Sequence, residues 1–215
     1  MTFNIVKYQE IKEFIGKSDK KSTKIISISK NHPPSAVSEA ISFGVRIFGE
    51  NRVQEAFEKF YEIKKNVLDI ELHLTGPLQT NKVKKALDIF DVFQTLDREK
   101  LAKEFCKYPQ AILNKKFFIQ VNIGKEQNKS GIEPENSGEF IRYCKNDLNL
   151  NIVGLMCIPP IDQDPKAFFS NLKKISKSSN VKLLSMGMSA DFDKAIECGA
   201  DYIRVGTALF GKRIL

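Results

Sequence analysis

The chain has 215 residues, 42% of them hydrophobic, and a formal net charge of +8, which bounds it to one domain, or one with a small appendage, around an ordinary core. The basic excess is nearly all lysine, with only six arginines, and it is scattered; the lack of an arginine-rich run or an aromatic-basic motif argues against nucleic acid as a partner. Cys106, Cys144, Cys157 and Cys198 lie far apart with no CxxC pair, which argues against a zinc site or a disulfide framework.

The opening MTFNIVKYQEIKEF is amphipathic and charged, so it reads as a helix over about Val6–Gly16 and not as a signal peptide. Eight β-rich runs follow: Lys24–Ser29, Arg46–Phe48, Ile70–Thr75, Val92–Thr95, Lys116–Ile123, Asn151–Cys157, Lys182–Ser185 and Tyr202–Val205. Helical apolar spacing separates them at Ser35–Phe43, Arg52–Lys65, Asn81–Leu87, Lys100–Tyr108, Asn136–Lys145, Lys166–Ser176 and Asp191–Cys198. Strict alternation implies parallel strands, because parallel neighbours need a crossover. Eight such units predict an α/β fold, a (β/α)8 TIM barrel with an extra N-terminal helix, as a single domain over 1–215. An open doubly wound sheet is the alternative, but its Gly-rich first turn is replaced here by SKNHPP. No apolar run approaches the ~20 residues of a membrane span. The expectation is a soluble cytoplasmic protein with no membrane partner.

In such barrels the active groups stand at the C-terminal ends of the strands, and phosphate often binds near the seventh and eighth. The first strand puts Ile26, Ile28 and Lys30 on one face. If that face is the barrel interior, the Lys30 amine sits at the mouth, where burial favours the neutral form that condenses with an aldehyde. A snorkelling surface lysine is the alternative. After the second strand, Asn51 could cap a helix or meet a ligand. After the third, Thr75-Gly76-Pro77 turns the chain and Thr80 could cap. His73 and Met156 read as packed strand residues. The last two strands run into helices through small residues, LLSMGMSADF with Ser189 as a cap and RVGTALFG with Gly206 and Thr207. Exposed N–H groups, hydroxyls and helix dipoles make that pair of turns an anion site. Arg204 would point inward near the mouth, toward an anion or into an ion pair with an acid such as Glu50.

These segments together resemble the pyridoxal phosphate homeostasis protein family, single-domain relatives of the alanine racemase barrel. The resemblance is carried by ISK (28–30), FGENRVQEA (48–56), HLTGPLQTNK (73–82), VNIGKEQNKSGI (121–132), GLMCIPP (154–160), LSMGMSADF (184–192) and RVGTALFG (204–211). One departure is Leu72-His73-Leu74, where the family often has aromatic residues flanking the histidine. The resemblance implies that Lys30 forms a Schiff base with pyridoxal phosphate. It further implies that Ser185, Gly206 and Thr207 hold the phosphate, Arg204 approaches the pyridine nitrogen, Asn51 lies beside the ring and Met188 near the phosphate turn. An arginine only donates, so it disfavours protonation of that nitrogen and makes a poorer electron sink. The tyrosine base of the racemases, supplied with a C-terminal β domain and a dimer partner, has no counterpart motif here. The implied function is therefore a monomeric carrier or buffer of the cofactor with little or no catalysis, delivering it to apo-enzymes. The alternatives are a pyridoxal-phosphate-dependent amino-acid racemase and a cofactor-free Schiff-base lyase.

Overall fold

Each short strand has to return to its neighbour through a helix, and the result is a sheet that closes on itself. The computed structural model describes residues 3–211. Its strands are β1 (Lys24–Ile28), β2 (Ile47–Glu50), β3 (Glu71–Leu74), β4 (Val92–Leu96), β5 (Lys116–Val121), β6 (Ile152–Cys157), β7 (Leu183–Met188) and β8 (Tyr202–Val205). They pair in sequence order, all parallel, and β8 returns to β1 with Ile26 opposite Arg204. This is the expected (β/α)8 barrel. The expected single domain over 1–215 extends past the described residues at both ends.

The extra helix is α1 (Ile5–Lys17), started by Asn4, whose Oδ1 accepts from the Lys7 N–H at 3.0 Å. It buries Ile11 and Ile15, one helical turn apart. The crossovers are α2 (Pro34–Ser42), α3 (Val53–Asn66), α4 (Val83–Ile89), α5 (Glu99–Phe105), α6 (Pro109–Ile112), α7 (Ser137–Arg142), α8 (Pro165–Ser178) and α9 (Phe192–Glu197), with α10 (Thr207–Phe210) after β8. Period-two alternation in the strands divides the core into two layers. Ile26, Val92, Phe118, Met156 and Tyr202 fill the barrel interior. A larger layer lies between strands and helices; there Phe93 stacks on Phe117 at 5.4 Å and Phe105 meets both edge-on, a geometry the ring quadrupole favours.

Several boundaries differ from expectation. β7 continues to Met188, three residues past Ser185. Its register against β8 moves from Ser185 opposite Tyr202 to Met188 opposite Arg204, so three steps face two and the strand bulges. Gly187, at φ +87°, supplies the left-handed residue inside that bulge. The helix after β3 opens with a 3-10 turn at Thr80–Lys82, and Thr80 does not cap it. The helix over 136–145 widens after Arg142 into a π turn at Tyr143–Asp147. Among the described residues no helix is long and apolar enough to cross a membrane, and no cluster of His, Cys, Asp and Glu could hold a metal ion. All four cysteines are free thiols, and burial pushes Cys144 and Cys157 up to about 12.

Candidate functional site

Alternation along β1 sends Ile26 into the barrel interior and Ile28 to its mouth. The same parity, two residues on, puts Lys30 on the wall of a cavity of about 290 Å³. Met188, Arg204, Gly206 and Thr207 line that cavity as well. Five of the seven expected site residues, drawn from β1, β7 and β8, therefore converge.

Ser185 and Asn51 do not line it. Ser185 is fully buried one layer down. Its Oγ accepts from Arg204 Nη1 at 2.9 Å, while Arg204 Nη2 donates to the Cys157 carbonyl at 2.8 Å. The geometry makes Ser185 a support for the guanidinium. Asn51 follows β2 and does not cap α3, whose cap position is Arg52 without a side-chain bond. It lies behind the Thr75–Gly76 turn, so close that a Cβ on Gly76 would come within 2.4 Å of the Asn51 carbonyl oxygen. Its Oδ1 is buried with no hydrogen-bond partner among the described residues. Thr75, on the near side of that turn, reaches the cavity.

Two expectations about charge are corrected. Arg204 does not pair with Glu50. Phe48 packs on Phe60 of α3 at 5.4 Å, so Glu50, two residues along β2, shares that outer face and bonds Lys59 instead. Ser189 does not cap α9; its Oγ accepts a long 3.4 Å bond from the Gly206 N–H, tying the β7 turn to the β8 turn. With only six residues in α9 and four in α10, the helix dipoles add little positive potential. Arg204 supplies it. The side chain is 5% exposed. Burial lowers its pKa against the opposing pull of Cys157 and Asp191, and a guanidinium still stays charged. The described wall residues include Lys30, His32 and Arg204 and no carboxylate.

The sequence pattern marks Thr75 only as a turn and Ser189 only as a cap and does not single out Ile158 or Ala190; all four are on the wall. Ser189 and Ala190 belong to the LSMGMSADF segment, so that motif carried the signal. His73 is the packed residue expected. Its Nδ1 lies 2.9 Å from Gln94 Nε2 and its Nε2 3.0 Å from Glu71 Oε1. A neutral ring with the proton on Nε2 satisfies both contacts. Burial lowers its pKa, against the pull of Glu71.

The chain matches the model of the alanine racemase N-terminal domain over residues 8–213. It is 41% identical to the pyridoxal phosphate homeostasis protein of Aquifex aeolicus over 202 residues, covering 88% of this chain and 87% of that protein. The chain belongs to the pyridoxal phosphate homeostasis protein family. The family member of Haemophilus influenzae is 39% identical over 203 residues, covering 88% of this chain and 85% of that protein. PipY of Synechococcus elongatus, solved with pyridoxal phosphate bound, superposes with a TM-score of 0.82 at 32% identity, covering 95% of this chain and all of that one. Alanine racemase of Acinetobacter baumannii shares the fold, with a TM-score of 0.71 at 19% identity, over 94% of this chain and 59% of that one.

Proposed function

We propose that this chain binds pyridoxal phosphate covalently and reversibly through Lys30 and serves as a carrier or buffer of that cofactor, with little or no catalysis of its own. What carries this reading is one cavity at the barrel mouth that joins the Lys30 amine, the buried Arg204 guanidinium and the hydroxyls of Ser189 and Thr207, with no carboxylate among its described wall residues. Such a donor set suits an anionic aldehyde. Met188, Ile28 and Ile158 give it apolar walls suited to a flat ring.

When bound, the cofactor supplies an aldehyde that condenses with amines and a pyridine ring that withdraws electrons. Lys30 would hold the aldehyde carbon. Thr207, Ser189 and the Gly206 N–H would donate to the phosphate, in place of the buried Ser185. Arg204, fixed by Ser185 and the Cys157 carbonyl, would donate toward the ring nitrogen and keep a proton off it, which weakens the electron sink. Asn51 would bear on the ring only through movement of the Thr75–Gly76 turn. Release would require another amine, or water, at the Lys30 linkage.

The test is a peptide map of protein loaded with pyridoxal phosphate and reduced with borohydride. The label is expected on Lys30 alone, and Lys30→Ala is expected to lose the visible absorbance band. A stable, reducible adduct persisting in Lys30→Ala protein would place the site elsewhere. Loaded wild-type protein incubated with single-enantiomer amino acids in deuterated water is expected to show negligible α-proton exchange. Rapid exchange with inversion would make it a racemase.

A further inference from the structure

β1 ends at Ile28; the Ser29 N–H still reaches the Gly49 carbonyl of β2 at 3.1 Å, and the backbone groups beyond it leave the ladder. Buried peptide groups must find partners somewhere. Two of those flanking Lys30 find them in a charged cluster on the outer side of the strand. Lys59, in the second turn of α3, is 5% exposed. Its ammonium donates to the Ser29 carbonyl at 2.6 Å, on a second lone pair beside the His32 N–H at 3.1 Å, and to Glu50 Oε1 at 2.8 Å, and pairs with Glu55 Oε1 at 2.7 Å. Glu55 Oε1 also accepts the Asn31 N–H in a short bond. Ser29 Oγ donates to Glu50 Oε1 at 2.7 Å. Asn31 itself is left-handed, with φ +61°. The peptide unit before Lys30 is thus held by Lys59 and the one after it by Glu55.

A buried lysine between two carboxylates is a poor stabilising device. Its desolvation cost is large, and apolar replacements of such clusters are often as stable or more so. Hydrocarbon side chains could not, however, accept from the Asn31 N–H or add a charged donor to the Ser29 carbonyl beside the His32 N–H. The cluster does something that ordinary packing would not.

We propose that Lys59 and Glu55 are positioning residues for Lys30, clamping the backbone on both sides of it so that its side chain is aimed into the mouth cavity. The proposal rests on Lys30 being the attachment point for pyridoxal phosphate. Neither residue touches the cavity wall, so both act through the main chain. Lys59, although a primary amine near Lys30 in the fold, is expected to take no label, because its three partners use all three of its donors.

Lys59→Met would strand Glu50 in the core and could unfold the chain, so the test is made on Glu55, whose side chain is 19% exposed. Glu55→Leu removes the acceptor for the Asn31 N–H. Glu55→Gln keeps it. In apo-protein well below its unfolding temperature, the Asn31 amide is expected to exchange with deuterium faster in Glu55→Leu than in wild type or Glu55→Gln. The rate of pyridoxal phosphate uptake is expected to fall roughly tenfold in Glu55→Leu, short of the ~100-fold that a 1 Å misplacement of a reacting group costs. Glu55→Gln is expected within about twofold of wild type. A purely stabilising role would lower the melting temperature and leave uptake unchanged, and that result overturns the clamp while Lys30 still maps as the labelled residue. A wild-type map with the label elsewhere removes the attachment itself and the clamp with it.

Discussion

Arg204 is a permanent charge with only neutral partners. Ser185 and the Cys157 carbonyl fix two of its nitrogens, and no ion pair neutralises it among the described residues, since Glu50, on the outer face of β2, pairs with Lys59. A buried cation with no ion-pair partner in contact is costly, and in the proposed function the anionic cofactor offsets that cost. Hydrogen bonds to charged groups are worth ~1.5–3 kcal/mol. Arg204→Gln is therefore expected to weaken binding of pyridoxal phosphate by about 10- to 100-fold, read by equilibrium dialysis at neutral pH, with Lys30 still the labelled residue. Wild-type affinity in that variant would remove Arg204 from the binding site. Lys30 and Arg204 were both legible in the sequence because each extends a short row of alternating inward residues, and parity survives small errors in strand length. The partner of Arg204 was not legible. The second strand was expected to stop at Phe48, and only when it runs on to Glu50 does Glu50 inherit the outward parity of Phe48.

Among the elements, β7 shows most clearly what composition hides. Eight strands and their order follow from alternation alone, and the β8 boundaries agree with expectation. The extension of β7 past Ser185 depends on a bulge, which needs Gly187 at positive φ and a partner strand to measure against; periodicity contains neither. The bulge matters for the site because it brings Met188 level with Arg204 and starts the turn in which Ser189 meets Gly206. Gly187 also lies against α9, where an added Cβ would come within 2.4 Å of the Ala195 Cβ. Left-handed backbone costs an L-residue ~1–2 kcal/mol, and overpacking adds ~1–3 kcal/mol. Gly187→Ala is expected to lose about 2–5 kcal/mol in urea unfolding, together with slower cofactor uptake. An unfolding midpoint equal to wild type would mean that the bulge relaxes freely and that Gly187 does not set the mouth.

For the barrel as a whole, one polar chain links three adjacent strands. Lys116 of β5 donates to Glu71 of β3 at 2.8 Å, Glu71 also meets His73 of β3, and His73 meets Gln94 of β4. The His73 bond outweighs burial, and with Lys116 it takes the Glu71 carboxyl from 4.5 down to about 2. A depressed carboxylate stabilises the fold fully above its unfolded value of 4.5 and loses that contribution as pH falls toward 2. His73 acts in the same direction from a higher pH: burial lowers its pKa, so the unfolded chain binds the proton first as pH falls below 6.5. Glu50 runs the other way, since burial raises its carboxyl against the pull of Lys59. Because Glu71 is partly exposed, its shift is discounted for solvent screening to about 1–2 kcal/mol. Urea unfolding at about pH 6 and about pH 3 should show the wild-type protein losing stability on acidification, and Glu71→Gln losing less by that amount, about 1–2 kcal/mol. Equal losses in the two proteins would mean that the three-strand chain is electrostatically silent and that acid acts on the barrel through its net positive charge.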